Sequence, residues 1–241
     1  MMWRALSVAA MLISLPVLAS AQGVTIDFGE GSMTGRSIQL FALVTVLSLA
    51  PGIAIMVTCF PFLVTVLSIL RQAIGLQQAP PNMLIVSLAL FLTYFVMDPV
   101  FSQAWSNGIE PLLNEQIDLE TAFQKTLQPF RVFMASRLDG ETFESIQSLR
   151  GTATQPIATS ETPISVLVPS FLLSEMAHAF QIGFLIYLPF VIIDLVVAAI
   201  LMSMGMMMVP PAVVSLPFKL AFFVIADGWA LVSSALVTGY F

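Results

Sequence analysis

The chain has 241 residues, 58% hydrophobic and 9% charged, with a formal net charge of -6 and a mean hydropathy of +0.97. A soluble domain is about a quarter charged, so the composition is that of an integral membrane protein. Eight Lys plus Arg lie scattered without a basic patch, which argues against nucleic-acid binding, and a lone Cys59 with a lone His178 cannot build a disulfide framework or a Cys/His metal centre within one chain.

Residues 1–21 read as a signal peptide. "MMWR" supplies a positive start, "ALSVAAMLISLPVL" an apolar run short for a membrane span, and Ala19 to Ala21 a small-x-small cleavage pattern. An uncleaved anchor helix is the competing reading. Cleavage predicts a mature start near Gln22, outside the inner membrane. Residues 22–101 then hold a polar leader and two hydrophobic helices. The first apolar run, Ser37 to Leu70, is interrupted by Pro51-Gly52 and Pro61. A straight crossing needs about 20 residues, so this run is predicted to bend. The stretch "RQAIGLQQAPPN", with Arg71, Pro80, Pro81 and Asn82, reads as a cytoplasmic loop by its glycine and double proline. The second apolar segment runs from Met83 to about Phe101, with Asp98-Pro99 near its end.

Residues 102–162 hold most of the charge, including Lys125, Arg131, Arg137 and Arg150. Leu113, Ile117, Phe123, Leu127, Phe130 and Met134 recur at roughly helical spacing and predict an amphipathic helix. Its face through Phe123, Leu127 and Phe130 is expected to pack on neighbouring copies. "LDGETFESI" breaks that helix at Asp139-Gly140 and begins another, and "RGTATQPIATSETP" reads as a polar linker. This is a small, water-exposed helical module. Residues 163–241 are predicted to form the third and fourth hydrophobic helices, joined by a methionine-rich bend. With a cleaved signal, parity of crossings puts the bend and the Arg71 loop in the cytoplasm and the charged module in the periplasm. The positive-inside rule supports this weakly, because four basic residues lie in the outer module.

Asp98, Glu175, Asp194, Lys219 and Asp227 are charges in apolar surroundings. Each costs about 2.5–3.5 kcal/mol at mid-membrane on insertion scales, so each must face protein or water and pair. Asp227 is too far along its helix to reach Lys219, which leaves Glu175, Asp194 or an acid of another copy. A proton or ion relay and structural packing between helices or copies are both open, and packing is favoured. Ser174, Glu175 and His178 evoke a hydrolytic triad, but no G-x-S-x-G nucleophile elbow is present. Neither a P-loop nor H-E-x-x-H occurs. No catalytic, metal or cofactor site is predicted, and the chain is read as a non-enzyme.

The stretch "MSMGMMMVPP" places five methionines in the seven residues from Met202 to Met208. Core filling, soft-metal binding and a deformable seal compete. Metal is disfavoured by the lack of nearby Cys or His. A bend is a poor place for core filler, which leans toward a seal.

The blocks "RQAIGLQQAPPNMLIVSLALFLTYFVMDPVF" and "AFQIGFLIYLPFVIIDLVVAAILMSMGMMMVPPAVVSLPFKLAFFVIADGWALV" closely resemble the FliP family of type III secretion export-gate subunits, and the signal peptide resembles its flagellar branch. The resemblance covers nearly the whole mature chain. It implies an all-α, multi-pass protein with about four long, partly broken hydrophobic helices. It places that protein in the bacterial inner membrane at the flagellar basal body. Several copies would join FliR and FliQ, beside other export-apparatus membrane proteins, in a ring around a pore for unfolded flagellar subunits. The family's gasket maps onto Met206, Met207 and Met208, and its assembled helices sit largely above the bilayer plane. The alternative, a small-solute or ion transporter using the buried charges, lacks the internal repeat that such carriers often show.

Overall fold

The computed structural model describes residues 33–76, 80–149 and 159–240. The predicted signal peptide, the leader as far as residue 32 and most of the linker after Leu149 lie outside the described residues. The elements in chain order are α1 (Met33–Met56), α2 (Phe60–Ile74), α3 (Asn82–Ala104), a π-helical turn (Trp105–Ile109), α4 (Glu110–Leu113), α5 (Leu119–Ser136), α6 (Gly140–Leu149), α7 (Ile164–Ser203), α8 (Pro211–Ile225) and α9 (Gly228–Thr238). The fold is all-α, as the sequence predicts. Two compact units divide at Ser48/Leu49. Of the first, only the start of α1 is described, and its side chains from Ser37 onward are exposed.

Among the described residues, three stretches are long and apolar enough to cross a membrane: Ser37–Met56, Asn82–Leu113 and Ile164–Ser203. α8 and α9 make a fourth if their pair, bent by 60°, counts as one span. The predicted single bent run from Ser37 to Leu70 is instead two helices, α1 and α2. The break falls before Pro61, which sits in the first turn of α2, where a missing N–H leaves no bond unmade. α2 also continues past Leu70, so Arg71 lies in its last turn and not in the loop. At 15 residues, α2 is about 22 Å long, short of a bilayer's roughly 30 Å core.

α2 is the centre of the second unit. Phe62, Leu63, Val66, Leu67 and Leu70 are all within 2% of complete burial, packed among Ile85, Ala89 and Val96 of α3, Ala179 of α7 and Phe223 of α8. Gly183 lets α7 approach this closely: a Cβ there would lie 2.4 Å from Ile69 Cδ1. Where lipid is the surrounding solvent, such contacts stabilise through fit and dispersion, because acyl chains are as apolar as leucine. A second cluster, Met134 with Leu167 and Phe171, joins α5 to the first turns of α7.

Prolines mark the starts. Pro81, Pro163 and Pro210 precede α3, α7 and α8. Others are embedded, among them Pro169 and Pro189 in α7, and α7 nonetheless runs 40 residues without interruption. That is about 60 Å, twice the hydrocarbon thickness. Hydroxyls inside these helices turn back onto their own carbonyls, as in Thr65 to Pro61 at 2.7 Å and Thr93 to Ala89 at 2.7 Å. This satisfies them without a partner in apolar surroundings.

The module's helices are capped by their own sequence. Asp118 accepts the Thr121 N–H at 3.4 Å to begin α5, and Asp139 accepts the N–H and hydroxyl of Thr142 at 2.9 and 2.8 Å to begin α6. These bonds favour the ionised carboxylates and hold both below the ordinary aspartate value. The predicted break at Asp139-Gly140 is present as this cap. Phe130 was expected to face neighbouring copies but packs inside the chain, its ring centroid 5.9 Å from that of Phe101. Phe123 is 61% exposed, and Leu113 ends α4 outside the amphipathic helix and is 68% exposed.

Candidate functional site

α7 and α8 pack as a hairpin, and the methionine bend is its tip. α7 is closed by Gly205, two residues past its last residue Ser203, where φ is +74. The Gly205 N–H reaches the Met202 carbonyl at 3.0 Å, and the Met206 N–H reaches that of Leu201 at 3.0 Å. These paired bonds satisfy the last carbonyls of the helix, and the left-handed residue between them suits glycine. Pro210 and Pro211 then open α8. The turn is consequently built from backbone bonds, and the methionine side chains are free of structural work inside the chain. Met206 is 42% exposed, Met207 85% and Met208 98%. None of the three fills a core within this chain.

Below the tip, the hairpin is fastened by a polar clamp. Asp194 of α7 accepts from Lys219 Nζ at 2.6 Å and from Ser215 Oγ at 2.5 Å. Ser215 and Lys219 are one turn apart and share a face of α8. Ser215 is fully buried and Lys219 is 6% exposed. Gly75 at the end of α2 lies close by, since a Cβ on it would sit 4.0 Å from Lys219 Nζ. The carbonyl end of a helix favours a cation there. Of the partners open to Lys219 in the sequence, the structure selects Asp194.

Glu175 does not join that clamp. It is fully buried and accepts from Arg137 Nε at 3.1 Å and from the Tyr240 hydroxyl at 2.5 Å. Arg137 also donates to the Gly239 carbonyl at 3.1 Å, and its guanidinium lies 4.2 Å from the Tyr240 ring centroid. One carboxylate thereby ties the module, the long helix and the chain end. Sequence reasoning missed Arg137, Tyr240 and Ser215. Arg137 sits among charges that read as solvated, and no local spacing links it to Glu175.

Asp227 stands apart from both groups. It is exposed, holds φ +46 and forms the break between α8 and α9. Gly228 follows because a Cβ there would meet the Phe223 ring at 2.1 Å. Asp227 lines an open cavity of about 580 Å³ together with Ile74 and Pro80. Arg71 donates to the Pro80 carbonyl at 3.4 Å and to Asn82 Oδ1, so it closes the α2–α3 connection from its helical position, while Pro81 precedes α3. His178 forms no triad: the Ser174 hydroxyl donates to the Ser170 carbonyl at 2.8 Å and accepts the Asp139 N–H at 3.0 Å.

The FliP family model matches residues 43–236. The flagellar biosynthetic protein FliP of Caulobacter vibrioides is 50% identical over 228 residues, covering 94% of this chain and 85% of that protein. That of Agrobacterium fabrum is 47% identical over 247 residues, covering 99% and 100%. That of Bacillus subtilis is 42% identical over 204 residues, covering 85% and 92%. The chain belongs to the FliP family.

Proposed function

We propose that this chain is a non-enzymatic, pore-forming subunit of the flagellar type III export gate. Several copies assemble with FliR and FliQ in the bacterial inner membrane at the basal body, next to other export-apparatus membrane proteins. Unfolded flagellar subunits pass through the ring they form, and the charged module faces the periplasm. Family membership supports the assignment to flagellar export. The exposure of Met206, Met207 and Met208 on a turn held by backbone bonds carries the gasket reading. Thioether side chains are unbranched and polarizable, so a ring of them can repack around many passing sequences and close on an empty pore. The Lys219–Asp194 clamp supports packing over a proton relay, because each charge has its partner in the hairpin. α7, twice as long as a bilayer core, supports helices that rise out of the membrane plane.

The test is the triple substitution of Met206, Met207 and Met208 to Ala. Complex yield on native gels should match the wild type, while ion flux across the membrane of the same cells rises. Lost assembly would return the methionines to a packing role, and normal assembly with a tight pore would remove them from the seal.

A further inference from the structure

The methionines of the bend differ from the others in what surrounds them. Among the described residues, Met97 and Met134 lie in the core, at 0% and 3% exposure. Met56 and Met83 are exposed but belong to stretches apolar enough to cross a membrane, Ser37–Met56 and Asn82–Leu113. The last residue of α7 is Ser203 and α8 opens at Pro211, so residues 204–210 fall outside every such stretch. Met207 at 85% exposure and Met208 at 98% therefore present their thioethers to water and to the small solutes in it.

The backbone at the bend is held independently of these side chains. Gly205 and Met206 close α7 through bonds to the Met202 and Leu201 carbonyls, and the Val209 N–H reaches the Met206 carbonyl at 3.3 Å. Chemistry at the Met207 and Met208 sulfurs leaves all of these bonds in place. The same chemistry at Met97 or Met134 would put a polar group without a partner into the packed core, at a cost in stability.

We propose, resting on the gasket reading above, that Met207 and Met208 form a reversible oxidation site that makes the seal responsive to oxidants. A two-electron oxidant of the hypochlorous acid class transfers its oxygen to the thioether sulfur. The sulfur is oxidised to the sulfoxide, and the chlorine leaves as chloride while the proton passes to water. Repair removes that oxygen as water at the expense of two thiols, which join as a disulfide, and it needs one reductase for each sulfoxide epimer. Apolar, adaptable thioethers close on one another without water. A sulfoxide oxygen is polar and resists losing its water. The oxidised ring stays assembled and leaks.

In the experiment, membrane vesicles from cells in which the chain is native are exposed to hypochlorous acid, and peptide mass spectrometry is read beside ion flux. One oxygen should appear at Met207 and at Met208 about tenfold faster than at Met97 and Met134. Flux should rise in step and return to its starting value after methionine sulfoxide reductases A and B are added with dithiothreitol. In Met207→Leu with Met208→Leu, flux should not respond to the oxidant. Oxidation no faster than in the core, a flat flux once both sulfurs carry oxygen, or an equal rise in the leucine variant would each overturn the proposal. The triple Ala variant separates this failure from that of the seal. If it leaks untreated while oxidised wild type stays tight, the seal stands and the oxidation switch falls. If neither leaks, the seal reading falls and the switch falls with it.

Discussion

Lys219 Nζ lies 2.6 Å from Asp194 Oδ2, and the burial of the two is unequal: the lysine side chain is 7% exposed and the aspartate 35%. The cation is deep in the helix packing and the anion sits toward its open side. Loss of the carboxylate leaves a desolvated ammonium without its counter-charge, beside the Gly75 end of α2.

Asp194→Asn should destabilise the chain by about 2 kcal/mol, less than the roughly 3–5 kcal/mol of a fully buried pair because the carboxylate is partly solvated. Lys219→Met with Asp194→Leu should recover most of that, since apolar replacements of similar volume are often neutral. Thermal melts in detergent would read both variants. If the double variant is stable but export-dead, the pair moves charge and does not merely pack.

Glu175 is wholly buried, so its loss should be the more severe. Glu175→Gln leaves Arg137 short of its counter-charge and should cost about 3 kcal/mol. Tyr240→Phe removes a single hydrogen bond to a charged group, about 1.5–3 kcal/mol. Both variants should raise hydrogen exchange at the Gly239 and Tyr240 backbone amides above the wild-type rate. Unchanged exchange would mean that the aromatic contacts of Tyr240 with Phe62 and Phe133, at centroid separations of 5.6 and 6.2 Å, hold it alone.

Gly108 in the π-helical turn has no room for a side chain. A Cβ would meet Thr126 Oγ1 at 2.0 Å and the backbone at Thr126 N, 2.8 Å, and Ala122 O, 2.9 Å. Gly108→Ala should push α5 away and cost about 1–3 kcal/mol by overpacking, lowering Tm. A Tm equal to the wild type would mean that the turn and α5 shift apart freely.

The caps of α5 and α6 make the module sensitive to acid. The folded-state pKa values of Asp118 and Asp139 are depressed, chiefly by the side-chain bond from Thr121 and the backbone bond from Thr142 respectively. Their contribution is therefore complete above the ordinary aspartate value of 3.8 and is lost as pH falls through the lower folded values. Asp139→Ala should melt earlier than wild type at neutral pH and lose less stability on acidification. Parallel loss in both proteins would assign the acid response to other carboxylates.

Local signals in the chain were enough for the helical class, the apolar spans, the break at Asp139-Gly140 and the methionine bend. Each depends on residues within a few turns of one another, where periodicity, proline position and side-chain capping act directly. The need of Lys219 for an acid was also legible, because a lone cation in an apolar run must be neutralised. Which acid answers it was not, since Asp194 is 25 residues away and Arg137 is 38 residues from Glu175. Those pairings exist only once helix packing has set which faces meet. α7 likewise depends on its neighbours: it contains Pro169 and Pro189 and still runs uninterrupted from Ile164 to Ser203. Arg71 shows the converse case. Glycine and the double proline announced a loop, but the apolar stripe of α2 ran on to Ile74, and burial of Ala73 and Ile74 in the core kept the last turn wound.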